Sequence, residues 1–300
     1  MLDICLLGTG GTMPMPDRAL TSLIVRYKGK NILIDCGEGT QIMVRKSGFS
    51  LKKIDTILIT HFHADHIAGL PGLLLSIGKS ERTEPVKIIG GKGIKEVVKS
   101  LCIIAPELPF ETKCVEIENK HEVFHMGELR IESLLLKHSM TCYGYSINLD
   151  RQGKFQPQKA LLLGIPQQYW GTLQKGENVE LDNNIYTPDM VLGEPRKGLK
   201  VTYCTDTRPC EYLTEFAKNS DLFVCEGMYA EEDKFEKALA NKHMMFREAA
   251  EIANAANVKE LWLTHFSPSL SNPNDYADFA CELFENTLIP SDLQRTELNF

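Results

Sequence analysis

From Thr56 the chain runs through the apolar stretch Ile57-Leu58-Ile59 and passes at Thr60 directly into His61-Phe62-His63-Ala64-Asp65-His66, four metal-ligand side chains within six residues. Imidazole and carboxylate together suit zinc, and also iron or manganese. A short turn leaving a strand lets the alternating histidines face one metal while Asp65 and His66 reach a second. The spacing therefore suggests two metals and marks a candidate metallohydrolase.

The same grammar recurs. Ile32-Leu33-Ile34 ends on Asp35, Leu134-Leu135-Leu136-Lys137 on His138, and Val201-Thr202-Tyr203-Cys204-Thr205 on Asp206. Leu222-Phe223-Val224-Cys225 ends on Glu226, and Leu261-Trp262-Leu263-Thr264 on His265. Short apolar runs bounded by turn formers read as buried strands. Reactive groups at strand ends, on loops held by a rigid sheet, are where chemistry is expected. Of eight histidines, five fall in this strand-end set, which turns His138 and His265 from ordinary loop residues into ligand candidates. His121 and His125, among Glu116, Glu118, Glu122 and Glu128, read as solvated.

The 300 residues carry 43% hydrophobic and 24% charged side chains, ordinary for a globular chain with an ample core. Nine cysteines without any Cys-x-x-Cys pair signal neither a disulfide framework nor a thiolate zinc site, and Cys36, Cys204 and Cys225 read as small packing residues beneath the site. The N-terminal apolar stretch is too short for a secretory signal and no run approaches a membrane span, so the expectation is a cytoplasmic protein with no membrane partner.

Taken together these residues resemble a metallo-β-lactamase-fold hydrolase, and within that superfamily they are most similar to ribonuclease Z, the tRNA 3′-processing endoribonucleases. The likeness runs nearly end to end, through Leu6-Leu7-Gly8-Thr9-Gly10-Gly11, Ile34-Asp35-Cys36-Gly37-Glu38, the His61–His66 motif, Gly69-Leu70-Pro71-Gly72-Leu73, Tyr143-Gly144-Tyr145, Asp206-Thr207 and Thr264-His265. The resemblance implies an α+β fold, a four-layer αββα sandwich of metallo-β-lactamase type forming a single domain over 1–300 with an inserted protruding arm at 150–200. It assigns one divalent metal, zinc foremost with manganese or iron as alternatives, to His61, His63 and His138. A second goes to Asp65, His66 and His265, with Asp206 bridging the pair and Asp35 bracing the histidine loop from behind.

A phosphodiester repels nucleophiles and water attacks it poorly, and two divalent cations address both problems. Asp65 is expected to hold or accept the proton of the attacking water. Glu226 and His243 match the pair that the family places near the scissile phosphate to protonate or stabilise the leaving oxygen. Where members commonly have His-Glu-Ala-Thr and His-Ser-Thr, this chain has Cys225-Glu226-Gly227-Met228 and His243-Met244-Met245. The charged pair survives without its neighbouring hydroxyls. Near the start, Pro14 to Ser22 occupies the place of a loop that helps members reject tRNAs already ending in CCA, and only Arg18 fits it. Cleavage before or after CCA stays open.

The stretch from about Asp150 to Lys200 shows low periodicity and many turn formers, as a functional loop or linker does. In ribonuclease Z the matching segment is an arm gripping the tRNA body, and Gly164, Pro166, Lys175, Arg196 and Lys197 lie in the pieces that resemble it. The chain is acidic at −7, but residues 151–200 hold seven Arg and Lys against five Asp and Glu, so the arm is locally basic. With Tyr169 and Trp170 it could contact folded RNA. The expectations are precursor tRNA as partner and a homodimer in which one subunit's arm serves the other's site. The alternative is a related phosphodiesterase acting on small phosphodiesters such as cyclic nucleotides, which needs the metals but not the arm. Elsewhere the pattern predicts a short helix over Gly37–Gly48, another over Leu70–Gly78, and a helix from Phe235 to Ala256.

Overall fold

The structure is a computed structural model describing residues 1–300. The chain first lays down β1 (Leu2–Gly8), β2 (Ser22–Tyr27), β3 (Lys30–Ile34), β4 (Ile54–Leu58), β5 (Val86–Gly91) and β6 (Thr112–Ile117). It then builds β7 (His121–Met126), β8 (Leu129–Leu135) and β9 (Tyr143–Arg151), and after the hairpin β10 (Val179–Leu181) and β11 (Asn184–Tyr186) continues with β12 (Arg196–Cys204), β13 (Leu222–Glu226), β14 (Leu261–Thr264) and β15 (Thr287–Leu288). Finally β16 (Gln294–Leu298) returns to pair with β1. The result is two seven-stranded sheets, ordered β16-β1-β2-β3-β4-β5-β6 and β15-β14-β13-β12-β9-β8-β7.

Alternation along the strands explains the layering. Leu2, Ile4 and Leu6 of β1 join Val201, Tyr203, Leu222 and Val224 in the cluster between the sheets, while Cys5 and Leu7 face outward under helices Thr40–Lys46, Leu70–Lys79 and Ile94–Leu101. On the far side Phe223 and Cys225 pack against Phe246, Ala249 and Ala253 of helix Phe246–Ala255. Strands buried on both faces read as continuous apolar runs, which is why they were conspicuous in the sequence. Helices cover each outer face, giving the expected αββα sandwich.

Topology then decides where the loops go. Strands β3 and β4 are parallel, as are β12, β13 and β14, and β8 runs with β12 because both are antiparallel to β9. The C-terminal ends of β3 and β4 therefore open on one rim of the first sheet, and those of β8, β12, β13 and β14 on one rim of the second. Cross-sheet bonds hold the rims together: Tyr143 N–H donates to the Thr60 carbonyl at 2.9 Å, Tyr145 O–H to the Ile59 carbonyl at 2.7 Å, and the Thr21 and Thr264 hydroxyls meet at 2.7 Å.

Two regions depart from the sequence pattern. The expected helix from Phe235 to Ala256 is broken into Phe235–Asn241 and Phe246–Ala255, because Lys242 turns left-handed at φ +59° and stops the first piece. His243 sits in that break. The segment between β9 and β12 is structured: short helices Pro157–Leu162, Trp170–Gln174 and Pro188–Val191 and the β10–β11 hairpin enclose a small core of Ala160, Ile165, Leu173, Val179 and Val191. Pieces this short leave no periodicity to read. Trp170, half-buried, packs against this core, with its ring centroid 5.2 Å from that of Phe155 and its Nε1–H donating to the Ile165 carbonyl at 2.9 Å. Elsewhere the helices form as expected, Thr40–Lys46 being followed by Gly48 at φ +78°. No helix is long and apolar enough to cross a membrane.

Phe223 is fully buried between β13 and helix Phe246–Ala255. Its replacement by Ala is expected to cost about 3–5 kcal/mol, from lost burial and the cavity left behind, measured as a lowered denaturant midpoint at unchanged slope.

Candidate metal centre

Strand-end loops from both sheets bring the predicted ligands together at the shared rim. His61 Nε2 lies 2.9 Å from His63 Nδ1, which lies 3.4 Å from His138 Nε2, and Asp206 Oδ1 is 3.7 Å from His61 Nε2 and 3.6 Å from His138 Nε2. A tetrahedral zinc with bonds of about 2.0–2.1 Å sets its ligand atoms about 3.3 Å apart, and these separations bracket that value. A second group sits beside the first. His66 Nε2 is 3.2 Å from His265 Nε2, Asp65 Oδ2 is 3.4 Å from both, and Asp206 Oδ2 is 3.1 and 3.2 Å from them. Asp206 thus turns one oxygen to each group. The donor set, imidazole nitrogens and carboxylate oxygens within 4.8 Å of one another in each group, fits divalent metal, and Asp206, His243 and His265 form a further such group.

Three of the rings are aimed by what their other nitrogen touches. Asp35 Oδ2 lies 2.7 Å from His66 Nδ1, and its carboxylate also accepts from Thr60 N–H at 2.8 Å and the Thr60 hydroxyl at 2.9 and 3.0 Å. Thr60 Oγ1 meets His61 Nδ1 at 3.0 Å, and His138 Nδ1 faces the Lys242 carbonyl at 3.3 Å. Such partners fix the tautomer and leave Nε2 free for a metal. The ring of His265 lies over the backbone at Gly11, where a Cβ would stand 2.8 Å from it. The same turn donates Thr12 N–H to Asp65 Oδ2 at 2.7 Å. Neither Thr12 nor the Lys242 carbonyl carries any sequence signal, since a backbone group looks alike in every residue.

The loops hold tightly. Cys36 N–H donates to the His66 carbonyl at 2.8 Å and Gly69 N–H to the Cys36 carbonyl at 2.9 Å, and a side chain at Gly69 would overlap the Gly37 carbonyl oxygen. Asp35, Asp206 and His265 all adopt left-handed backbone, with φ of 61°, 52° and 59°. Non-glycine residues so placed cost of order 1–3 kcal/mol each, and such strain gathers where surrounding structure aims a side chain. Cys36, Cys204 and Cys225 are fully buried packing residues, their thiols raised by burial.

Charge completes the arrangement. Burial, with His66 acting the same way, pushes His61 down to about 2 and keeps its lone pair available. Burial also opposes the charged form of His66, but Asp206 and Asp35 hold its imidazolium well above the usual range. Burial would raise Asp206, yet His265, His66 and His61 hold its carboxyl well below that of an ordinary carboxylate.

Residues 2–156 match the family model described as "Anti-Pycsar protein Apyc1". Across all of this chain and 99% of its relative, the protein is 55% identical to a ribonuclease Z of Agathobacter rectalis, and 52% identical to that of Clostridium acetobutylicum over equal coverage. The chain belongs to the ribonuclease Z family. Among solved structures, the short form of human tRNase Z superposes with a TM-score of 0.72 at 21% identity, covering 99% of this chain and all of that one. A metallo-β-lactamase-fold protein of Bacillus subtilis gives 0.71 at 20% identity, over 99% of this chain. Both carry the same fold.

Beside the clustered histidines and aspartates stands the Glu226–His243 pair. His243 Nδ1 lies 2.9 Å from Glu226 Oε2, with its ring centroid 5.2 Å from that of His138 and 5.4 Å from that of His265. Burial lowers His243, but Glu226 outweighs it and carries the imidazolium up to about 9. Thr207 N–H donates to Glu226 Oε1, while Met244 and Met245 are fully buried. Gly227 lies where a Cβ would be 2.8 Å from the Phe246 ring. Arg18 is turned inward, its Nη2 donating to the Leu270 and Ser271 carbonyls at 2.9 and 3.2 Å, so it fastens one loop to another.

Of the arm residues, Gly164, Pro166 and Lys175 are exposed on its body. Arg196 and Lys197 instead open β12 at its root, where Arg196 Nε bonds the Gln152 carbonyl at 2.8 Å and Lys197 lies 3.5 Å from Asp221. Replacing Asp35 with Asn should lower metal affinity about 10–100-fold, read by competition with a chromogenic chelator. Unchanged affinity would remove the bracing role.

Proposed function

We propose that this protein is a metal-dependent endoribonuclease that hydrolyses the phosphodiester at the 3′ end of precursor tRNA. One observation carries the reading: a carboxylate shared between two donor groups, with a charged Glu–His pair against them, in a chain related end to end to ribonuclease Z. His61, His63 and His138 would hold one cation, Asp65, His66 and His265 the other, and Asp206 both. Nitrogen-rich donors favour zinc, with manganese or iron as alternatives. When bound, two such ions lower the pKa of water and neutralise phosphate charge.

The chain's own groups do the rest. Burial would raise Asp65, but bonds from His265 and His66 hold it well below the ordinary carboxylate range, so it stays an anion placed to orient the attacking water and hold its proton. His243, held charged by Glu226, has Nδ1 occupied and offers its remaining N–H to the departing 3′ oxygen. The exposed arm between β9 and β12, with Gly164, Pro166 and Lys175 on its surface, would grip the RNA body, and Arg196 and Lys197 would add charge at its root. The family resemblance supports a cytoplasmic homodimer in which each arm serves the partner's site.

Incubating the metal-loaded protein with a 3′-extended tRNA and mapping the ends should yield one cut near the acceptor terminus. No cut with zinc, manganese or iron would overturn the reading. Exchange of His63 for Ala, or dialysis against a chelator, is expected to abolish this activity and hydrolysis of a chromogenic phosphodiester together. Deleting about residues 155 to 195 should instead abolish tRNA cleavage while sparing the chromogenic reaction, and equal loss of both would remove the arm's role.

A further inference from the structure

Arg208 ties the loop of the shared carboxylate to the loop that carries His243. It stands two residues beyond Asp206, its N–H bonded to the Lys137 carbonyl at 3.0 Å, directly after Thr207, whose own N–H donates to Glu226. From that anchored base the side chain crosses to the break between the two helices. There Nη1 donates to the His243 carbonyl at 2.6 Å and to Glu248 Oε2 at 2.7 Å, and Nη2 donates to Glu248 Oε1. Glu248 Oε2 also accepts Met245 N–H at 2.9 Å, and the guanidinium lies 5.6 Å from the Phe235 ring centre. A bidentate Arg–carboxylate pair fixes direction as well as distance, and this one is only 11% and 12% exposed.

The His243 backbone needs such a hold. Lys242 has left helical geometry, His243 N–H reaches only the Ala238 carbonyl at 2.9 Å, and the following Met244 and Met245 offer no hydroxyl. We propose that Arg208, seated by Glu248, is the positioning residue of the Glu226–His243 pair. It sets the height of the His243 ring over the metal ligands, so that the proton meets the leaving oxygen. The inference rests on His243 acting as the acid. In that reaction water oxygen bonds to phosphorus and gives up a proton at Asp65, the phosphorus–O3′ bond breaks, and the 3′ oxygen keeps the bonding pair and receives the His243 proton.

The leaving group separates this role from a merely structural one. A ribose 3′ oxygen departs poorly unless protonated, whereas p-nitrophenolate departs as the anion. Arg208→Met should lower kcat on a 3′-extended tRNA about 100-fold, the scale of general-acid catalysis, with KM within about threefold. Hydrolysis of bis(p-nitrophenyl) phosphate and bound metal per chain should stay near the wild-type level. Arg208→Lys, which can still reach the His243 carbonyl, should recover part of the loss. Equal loss on both substrates, or no loss on tRNA, overturns the proposal. If Arg208→Met lacks a cooperative thermal transition, Glu248→Gln is expected to show the same split and is judged by the same outcomes. Absent tRNA cleavage by the unaltered protein would overturn the ribonuclease reading and this inference with it, whereas wild-type cleavage with equal losses overturns the brace alone.

Discussion

Asp206 is a buried carboxylate set between two groups of imidazoles with one oxygen turned to each, and the molecule is arranged around holding it there. An ionised carboxylate taken out of water loses several kcal/mol of solvation unless opposite charge replaces it. Here the replacement comes from His66, kept cationic by two carboxylates, or from metal ions at the points where the donors converge. Neither solution works from one segment of chain. The ligands to be gathered lie as far apart in sequence as His61 and His265, so a rigid frame must present their loops at one place.

Two sheets packed face to face supply that frame. Parallel β3 and β4, and β8 with β12, β13 and β14, end at rims that the packing of Leu2, Ile4 and Leu6 against Val201 and Tyr203 brings into contact. Precision comes afterwards, from groups behind the ligands. Asp35 aims His66, Thr60 aims His61, and a main-chain carbonyl aims His138. Left-handed turns at Asp35, Asp206 and His265 have a local conformational cost that the many bonds around them offset.

The ligands and the pair beside them are built differently. His61 to His66 leave a strand and enter a helix turn, so their geometry is largely local. His243 hangs in a gap between helices, and its position depends on Glu226, Ala238 and Arg208, which come from three other places. Around that pair the bonds come from a Thr207 main-chain N–H on Glu226 and from a guanidinium on the His243 carbonyl.

Much of this was written in the order of residues. Apolar runs buried on both faces announce their strands, the His61–His66 motif announces metal, and a ligand-type residue at each strand end announces a common rim. What the chain alone did not disclose were contacts between distant segments: the break at Lys242, the small core inside the arm, the Thr12 amide on Asp65, and the reach of Arg208 to His243 and Glu248. Local pattern encodes which way a side chain faces, because strand and helix periods are properties of neighbouring residues. Which groups share a hydrogen bond across the rim is decided only once both sheets have packed, because backbone amides and charged surface residues carry no periodic mark of the partner they will meet.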